Sequence, residues 1–285
     1  MEKYLSLLYD KKFDEALQYR MSKVPNKLLK FISLSDDKAE NNKKFLSLKT
    51  NMAWFSPVKS LNDPYEFMCM YIDKKELKEH NYSDKDILEF EKFFKQQLDN
   101  WDILSLSNAG VDSLPMWAYY TNNSKGFCIE YEVENPMAIF PVSYEPKRIP
   151  ITYIVANFFN EFYEMMEKGE KINPKVEFYA SVFRYQLYSK HNSWKHEKEF
   201  RIIFPHNLSS EYGQNVSINK LGIKVNRIIA GIDCSEENKQ QLNDISNELG
   251  FGNIYEAKIS DTEYTTVCNK SNFEPTGEHS DGINV

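Results

Sequence analysis

Apolar residues recur every three to four positions along several stretches of the chain, which is the spacing of an amphipathic helix. The clearest case is residues 83–98, where Ser83 stands at the N-cap position and charged residues fill the solvent face. Its apolar stripe consists of Ile87, Phe90, Phe93, Phe94 and Leu98. The apolar spacing within residues 1–27 predicts a short N-terminal helical segment, whose helix ends before Pro25. Further helices are predicted over residues 36–48, 114–120, 152–168, 175–190 and 236–249.

Short runs of β-branched and aromatic residues, or of alternating apolar and polar residues, predict strands. They lie at residues 28–34, 52–56, 101–107, 126–131, 200–204 and 227–232. Helices alternate with these strands, but the spacing is too irregular for a doubly wound sheet. The pattern therefore predicts an α+β protein with one mixed central sheet interrupted by helical insertions. We expect a single domain over residues 28–263 and a loose polar tail over residues 264–285.

Composition narrows the classes of function. Hydrophobic residues make up 41% of the 285 residues, so a large core is expected. The formal net charge of −7 argues against a general polyanion-binding surface, which needs clustered Lys and Arg. No apolar stretch approaches the ~20 residues of a membrane span, and the N-terminus lacks the apolar core of a signal peptide. The four widely spaced cysteines form no CxxC pair and predict reduced thiols, so we expect a cytoplasmic protein without membrane contact.

Several strong catalytic signatures are absent from the sequence. It contains no GxGxxG loop, no GxxxxGK loop and no GxSxG elbow, and its five histidines form no recognisable triad. The HEKEF segment at residues 196–200 has no second histidine one helical turn away, so zinc hydrolysis is disfavoured and no metal is expected. A weaker alternative is a metal-dependent nuclease using Asp63, Glu76 and Lys78, although KKELKEH has the composition of a helix rather than of the required strand.

Two segments combine turn chemistry with polar or aromatic side chains. In FSPVKSLNDPYE, residues 55–66, a proline-fixed turn carries Asn62, Asp63 and Glu66, and is typical either of a capping turn or of a binding loop. In PMWAYYTNNSKGFCIEY, residues 115–131, Trp117 and Tyr120 precede a polar loop and a strand. They could stack a planar ligand, but core packing is the favoured interpretation.

A third segment, WKHEKEFR at residues 194–201, contains two carboxylates and a guanidinium. If the segment is a strand, its residues alternate between faces, so that Glu197, Glu199 and Arg201 share one side while Phe200 and Ile202 share the other. Such a row is either an ion-pair ladder on the surface, which spacing alone favours, or part of an active site.

These segments together resemble a widespread bacterial family, the domain of unknown function DUF2971, which is often encoded near phage-defence genes. The resemblance rests on five blocks in one order: residues 29–31, 54–66, 116–130, 194–201 and 228–237. It makes one domain more probable than two. The family usually has a histidine after the MW step and another before the KG step, where this chain has Tyr119 and Ser124. A mechanism that rests on those histidines therefore does not carry over.

A more distant similarity is to ADP-ribosyltransferases, which share a cation on the first strand, a serine on the second and E-x-E on a late strand. The resemblance implies an ADP-ribosyltransferase-like fold in which Lys30 and Ser56 hold a nicotinamide dinucleotide (NAD). Glu199 would be the catalytic carboxylate, and Glu197 would orient an acceptor on a protein or nucleic-acid target. The further candidates for ligand binding are Asn62, Asp63, Trp117, Tyr120 and Arg201. An enzyme of this kind would be a transferase or a glycohydrolase. The alternative is a non-catalytic sensor or protein-binding module of a phage-defence system.

Overall fold

The computed structural model describes residues 2–171, 173–207 and 212–273. Its α-helices are α1 Glu2–Tyr9, α2 Phe13–Met21, α3 Lys38–Lys49, α4 Lys74–Glu79, α5 Asp84–Asp99, α6 Leu114–Tyr120, α7 Thr152–Glu167, α8 Pro174–Tyr185 and α9 Glu236–Glu248. Its strands are β1 Lys27–Ile32, β2 Met52–Pro57, β3 Met70–Tyr71, β4 Trp101–Ser107, β5 Phe127–Val133, β6 Ile139–Pro141, β7 Ser143–Glu145, β8 Ile149–Pro150, β9 Ser189–His191, β10 Glu199–Pro205, β11 Gln214–Ser217, β12 Ile223–Ala230, β13 Tyr255–Ile259 and β14 Thr266–Lys270.

As far as it is described, the chain forms two compact units, each assembled from three separate stretches. Unit 1 comprises Met1–Lys30, Thr50–Gly110 and Tyr131–Lys224. Unit 2 comprises Phe31–Lys49, Val111–Glu130 and Val225–Val285. Because the stretches interleave, strands β1, β5 and β12 have residues in both units. The single domain expected over residues 28–263 stays a prediction.

The main sheet of unit 1 is built around β4. Strand β10 pairs antiparallel with β4 along its whole length, beginning with Glu199 opposite Ser107. Strand β1 also pairs antiparallel with β4, with Leu29 opposite the same Ser107. Strand β2 pairs with the other end of β4, with Ser56 opposite Ile103. The start of β10 and Leu29 of β1 therefore flank the same end of β4.

Helices α5, α7 and α8 of unit 1 enclose an aromatic core. Ser83 and Asp86 start α5 with a reciprocal cap, because the Asp86 carboxylate accepts from the Ser83 N–H at 2.8 Å and the Ser83 hydroxyl accepts from the Asp86 N–H at 3.2 Å. Phe158 of α7 contacts Phe93 of α5 and Phe183 of α8, with ring centroids 5.4 and 5.0 Å apart. Ile87, Phe90 and Phe93 of the predicted stripe face this core, while the side chains of Phe94 and Leu98 lie outside the described part.

Unit 2 contains a mixed sheet in which β5, β12, β13 and β14 are neighbours in that order. The β12–β13 pair is parallel and the β13–β14 pair is antiparallel. Helices α3 and α9 contact each other, and the ammonium of Lys49 lies 2.6 Å from the carboxylate of Glu248. Just before β5, a Cβ on Gly126 would lie 2.0 Å from the carbonyl oxygen of Ile32. Only glycine allows the backbone to approach that closely.

The predicted fold class, α+β with a mixed sheet, is confirmed. The helix predicted over residues 175–190 is too long: α8 ends at Tyr185, where the Ser189 hydroxyl donates to the Tyr185 carbonyl at 3.0 Å, and Ser189–His191 forms β9 instead. The expected loose tail is also partly ordered, because Thr266–Lys270 forms β14 on β13 through backbone pairing that polar residues tolerate. Residues 274–285 of that tail lie outside the described residues. None of the described helices is both long and apolar enough to cross a membrane.

Candidate active site

Five charged side chains of unit 1 form a buried group that we call the charge cluster: Glu66, Lys190, Glu197, Glu199 and Arg201. Their side chains are at most 7% exposed, and each has an oppositely charged partner within 3.7 Å. Removing an ion from water costs several kcal/mol unless a partner and hydrogen bonds compensate for the lost hydration. The ion pairs within the charge cluster are therefore needed to compensate for the burial of its five charges.

The chain reaches β10 through an irregular turn. Asn192–Glu197 forms a 3₁₀ helix, Lys198 follows with a left-handed φ of 44°, and β10 begins only at Glu199. The prediction that Glu197, Glu199 and Arg201 alternate along one strand is therefore wrong for Glu197. The burial of all three side chains also contradicts the favoured interpretation of this row as a surface ion-pair ladder.

Arg201 holds the centre of the charge cluster. Its Nε donates to Oε1 of Glu199 at 2.8 Å, and its Nη2 donates to Oε2 of Glu199 at 3.0 Å. The same Nη2 donates to Oε1 of Glu66 at 2.6 Å, and Nη1 donates to the carbonyl oxygen of Leu187 at 2.8 Å. The planar guanidinium thus fixes two carboxylates and one backbone segment in a defined geometry.

Lys190 is the second cation of the cluster and was missed by sequence reasoning. Its Nζ lies 2.7 Å from Glu197, 3.4 Å from Glu199 and 3.7 Å from Glu66, and it stands 4.8 Å from the ring centroid of Trp194. The sequence placed Lys190 at the end of a predicted helix. The predicted row has two carboxylates, Glu197 and Glu199, but one cation, Arg201. This imbalance indicates that a further cation is needed, but it does not indicate which lysine supplies it.

Tyr144 connects β7 to the start of β10 and was also missed. It lies opposite Lys190 in the parallel β7–β9 pair, and its hydroxyl oxygen accepts a hydrogen bond from the backbone N–H of Glu199 at 2.7 Å. Burial raises the pKa of this phenol, so it stays protonated at neutral pH. Tyr144 therefore fixes the backbone that carries the Glu199 carboxylate.

Glu66 reaches the cluster from the predicted LNDPYE turn. Asp63 Oδ1 accepts from the Tyr65 N–H at 2.9 Å and the Asp63 carbonyl accepts from the Glu66 N–H at 2.9 Å, so this segment is the capping turn that its sequence indicates. Asp63 is buried, with Oδ2 lacking a hydrogen-bond partner in the described part, and Asn62 is exposed. Of the three polar residues of this turn, Glu66 is the one that contacts β10, through Arg201.

Lys30 lies on β1 beside the cluster. Its side chain is half-buried and forms no hydrogen bond or ion pair with any residue that the structure describes. Burial lowers the pKa of Lys30, and the negative charge of Glu199 offsets part of that effect. Ser56, the other predicted dinucleotide-binding residue of the early strands, is half-buried on β2. The structure thus brings the Lys30 cation into the electrostatic field of Glu199.

The environment separates the pKa values of two neighbouring carboxyl groups. Burial alone would raise the pKa of Glu199, but Arg201 and Lys190 outweigh it and hold the value at about 2. Burial raises the pKa of Glu66 despite the same two cations, and the charge of Glu199 adds to the increase. Such a separation is typical of sites in which one carboxyl acts as an anion and the other as an acid. Glu66 is therefore the group of the cluster best suited to carry a proton.

These opposite shifts predict opposite dependences of stability on pH. The pKa of Glu199 falls from 4.5 to about 2 on folding, so its contribution is fully present above about pH 4.5 and is lost as the pH falls towards 2. The raised pKa of Glu66 gives a contribution that is present at low pH and is lost as the pH rises through the folded-state value. We expect acidification to reduce the stability of the unmodified protein relative to Glu199→Gln. It should increase the stability of the unmodified protein relative to Glu66→Gln. Urea unfolding between pH 7 and pH 2.5 measures both, and equal slopes for the two variants would contradict this electrostatic assignment.

The aromatic candidates belong to unit 2. Trp117 is 1% exposed, its Nε1 donates to the Val111 carbonyl at 2.7 Å, and its ring meets Phe31 edge-on with centroids 5.2 Å apart. This is the core packing that the sequence favoured. Tyr120, at the end of the same helix, is half-buried. A role for either ring in stacking a ligand stays a prediction, and for Trp117 it would require the core to open.

Metal-binding geometry is not found in the described residues, where no group of three or more His, Cys, Asp or Glu side chains converges on a common point. Glu76 and Lys78, the residues of the nuclease alternative, lie on helix α4. A helix does not present them in the alternating arrangement that an ExK strand provides.

Comparison with known proteins finds a family model that matches part of the chain. Residues 116–202 match the sequence model of a family described as protein of unknown function, DUF2971. No curated protein and no solved structure matches the chain. The matched range includes most of α6, all of β5, and four residues of the charge cluster: Lys190, Glu197, Glu199 and Arg201. The resemblance inferred from the sequence is thus confirmed over residues 116–202, which contain two of its five blocks.

Proposed function

We propose that this protein is an ADP-ribosyltransferase-like enzyme that uses a nicotinamide dinucleotide as donor, with Glu199 as its catalytic carboxylate. The observation that carries the proposal is that the Glu199 carboxylate is held ionised at the start of β10. The amine of Lys30 is close enough for the charge of this carboxylate to affect its pKa. When nicotinamide leaves, positive charge develops on the ribose carbon. A fixed carboxylate in a poorly hydrated site stabilises such charge better than water does.

Lys30 is the residue best placed to attract the phosphates of the donor. Lys190 and Arg201 are already held by two or three carboxylates each, whereas the Lys30 side chain is half-buried and has no ion-pair partner in the described part of the chain. An ammonium of this kind forms charge-assisted hydrogen bonds to phosphate oxygens. Lys30 therefore fits the binding role that the similarity to ADP-ribosyltransferases assigns to it.

Glu197 fits its proposed role less directly. Its carboxylate pairs with Lys190 at 2.7 Å, its backbone carbonyl accepts from the Ser107 hydroxyl at 2.6 Å, and the residue is 3% exposed. In this conformation it holds Lys190 rather than an acceptor. For Glu197 to orient an acceptor, the 3₁₀ helix Asn192–Glu197 has to open.

The second candidate function is a non-catalytic binding module of a phage-defence system. It is favoured by the internal charge balance of the cluster, in which every carboxylate pairs with Lys190 or Arg201. Such a network joins a turn, two strands and a 3₁₀ helix without needing any ligand. In that case the outer surface of the protein, rather than the buried carboxylates, would carry the function.

The distinguishing experiment is incubation with labelled NAD and cell extract, followed by measurement of free nicotinamide and of labelled macromolecules. We expect the unmodified protein to release nicotinamide, and Lys30→Met to raise KM for NAD by about 10- to 100-fold, as expected for loss of a charge-assisted contact. The fold should be retained, because Met keeps the apolar length of the side chain. Lys27→Met, which removes an exposed charge from the same strand, is the matched control and should leave KM unchanged. If the unmodified protein releases no nicotinamide and labels no acceptor, the transferase proposal is dropped in favour of the binding module.

A further inference from the structure

Unit 1 also contains a cavity of about 260 Å³, between helices α1 and α8 and strand β6. Most of its wall is aromatic, and the residues that matter here are Tyr4, Phe140, Ser181, Arg184, Tyr185 and Tyr188. Its volume is slightly below the range of about 300 to 1,000 Å³ that drug-sized ligands occupy. A single small ring with one substituent is therefore the size of ligand that suits this cavity.

Two polar groups of the wall are available to a ligand. Arg184 is exposed, and its Nη2 donates to the Ser181 hydroxyl at 3.2 Å, while that hydroxyl donates its own hydrogen to the Glu177 carbonyl at 2.9 Å. The Tyr185 hydroxyl is already engaged, because it donates to the carboxylate of Glu145. The hydroxyl of Tyr188 makes no hydrogen bond to any residue the structure describes. The wall thus presents the cation of Arg184 and the phenol of Tyr188 to the cavity.

Behind this wall lies Arg20, a buried guanidinium with too few partners. It is 5% exposed, its Nη2 donates to the Met137 carbonyl at 2.6 Å, and its Nε and Nη1 have no hydrogen-bond partner in the described part of the chain. It lies 3.6 Å from the centroid of the Phe140 ring, and Phe140 in turn stacks on Tyr188 at 4.0 Å. Guanidinium, phenyl and phenol thus form one stack that ends at the cavity.

Arg20 lacks the anionic partners that Arg201 has. Arg201 is also buried but pairs with two carboxylates, whereas no carboxylate among the described residues pairs with Arg20. An unpaired buried cation is strongly unfavourable and creates a positive potential around itself. Burial lowers the pKa of Arg20, which is the direction expected for such a group. A negative charge in the adjacent cavity would relieve this potential.

We propose that the cavity binds a small planar ligand that carries a carboxylate or phosphate group. Arg184 contacts the anionic group, and the ring of the ligand packs among Tyr4, Tyr188 and Phe140. Arg20 attracts the anion electrostatically from behind Phe140 without touching it. The site is independent of the transferase proposal, because it uses none of the residues assigned to that reaction.

Isothermal titration calorimetry at low ionic strength tests this site with three probes: phenyl phosphate, benzoate and phenol. The first two share a ring with an anion, and phenol has the ring alone. We expect at least one of the anions to bind and phenol not to bind. The proposal is overturned if neither anion binds at millimolar concentration, or if phenol binds as tightly as the anions.

Variants locate the site. Arg20→Met and Arg184→Met should each weaken the binding of the anion by about tenfold or more, while Lys23→Met, an exposed charge just after α2, should have no effect. Arg20→Met should melt at the same or a higher temperature, because it removes an unpaired buried charge. Ser181→Phe, on the partly exposed face of α8, fills the cavity without touching Arg20 and should abolish binding as well. Unchanged affinity in Ser181→Phe would place the bound anion elsewhere and overturn the assignment.

Discussion

Arg201→Met should lower the free energy of unfolding by about 3 to 5 kcal/mol at pH 7, the usual result of breaking a buried ion pair from one side. The guanidinium is fully buried and compensates the carboxylates of Glu199 and Glu66, as well as the carbonyl of Leu187. Met has a similar length but no donor, so both carboxylates would keep only Lys190 as a cation. Urea unfolding followed by circular dichroism measures the loss.

A matched control is Lys38→Met, which breaks the exposed pair of Lys38 with Glu237. Pairs of this kind contribute little, because water and salt screen them, so the free energy of unfolding should hardly change. A loss below about 1 kcal/mol for Arg201→Met would mean that water reaches the charge cluster and compensates the carboxylates.

Glu199→Gln should reduce the rate of nicotinamide release by a factor of about 10² to 10³ if the proposed chemistry is correct. Gln keeps the volume of the side chain but removes the charge that would stabilise the ribose cation. The same change also leaves the guanidinium of Arg201 with only Glu66 as an anionic partner, so a drop in stability accompanies the loss of activity. Rates therefore have to be compared at a temperature at which circular dichroism shows both proteins to be folded.

Ile202→Ala controls for the accompanying loss of stability. Ile202 is buried on the same strand, its side chain points to the opposite face from Arg201, and truncation of a buried Ile to Ala costs about 2 to 5 kcal/mol. This variant should keep its activity while it remains folded. Full activity of folded Glu199→Gln would instead contradict a catalytic role for the carboxylate and favour the binding module.

Local patterns were sufficient to predict those parts of the fold whose neighbours are close in sequence. The alternation of WDILSLS and the helical composition of LPMWAYY gave the observed bounds of β4 and α6, because each element has a buried face that the sequence reveals. Strands of two or three residues, such as β3 and β8, are too short to show any periodicity. They form only because the rest of the fold brings them together.

The candidate site was predictable in the same limited sense. Glu199 and Arg201 share a face because they are two residues apart on a strand, and this follows from the sequence alone. The contact between Arg201 and Glu66 spans 135 residues, and no local rule indicates it. The role of Lys190 could not be predicted for another reason. Residues 189–191 form a strand because they pair with β7, and their sequence alone continues the helical pattern.

The separation of Glu66 and Arg201 along the chain also affects how unit 1 forms during synthesis. Arg201 follows Glu66 by 135 positions, which a ribosome takes roughly 7 to 27 s to add at about 5 to 20 residues per second. During that interval the Glu66 turn has no guanidinium to bind, and strand β4 lacks β10, its antiparallel partner along its whole length. Unit 1 therefore completes its sheet and its charge cluster late in translation. The exposed edge of β4 is the segment of the nascent chain that chaperones would have to protect until then.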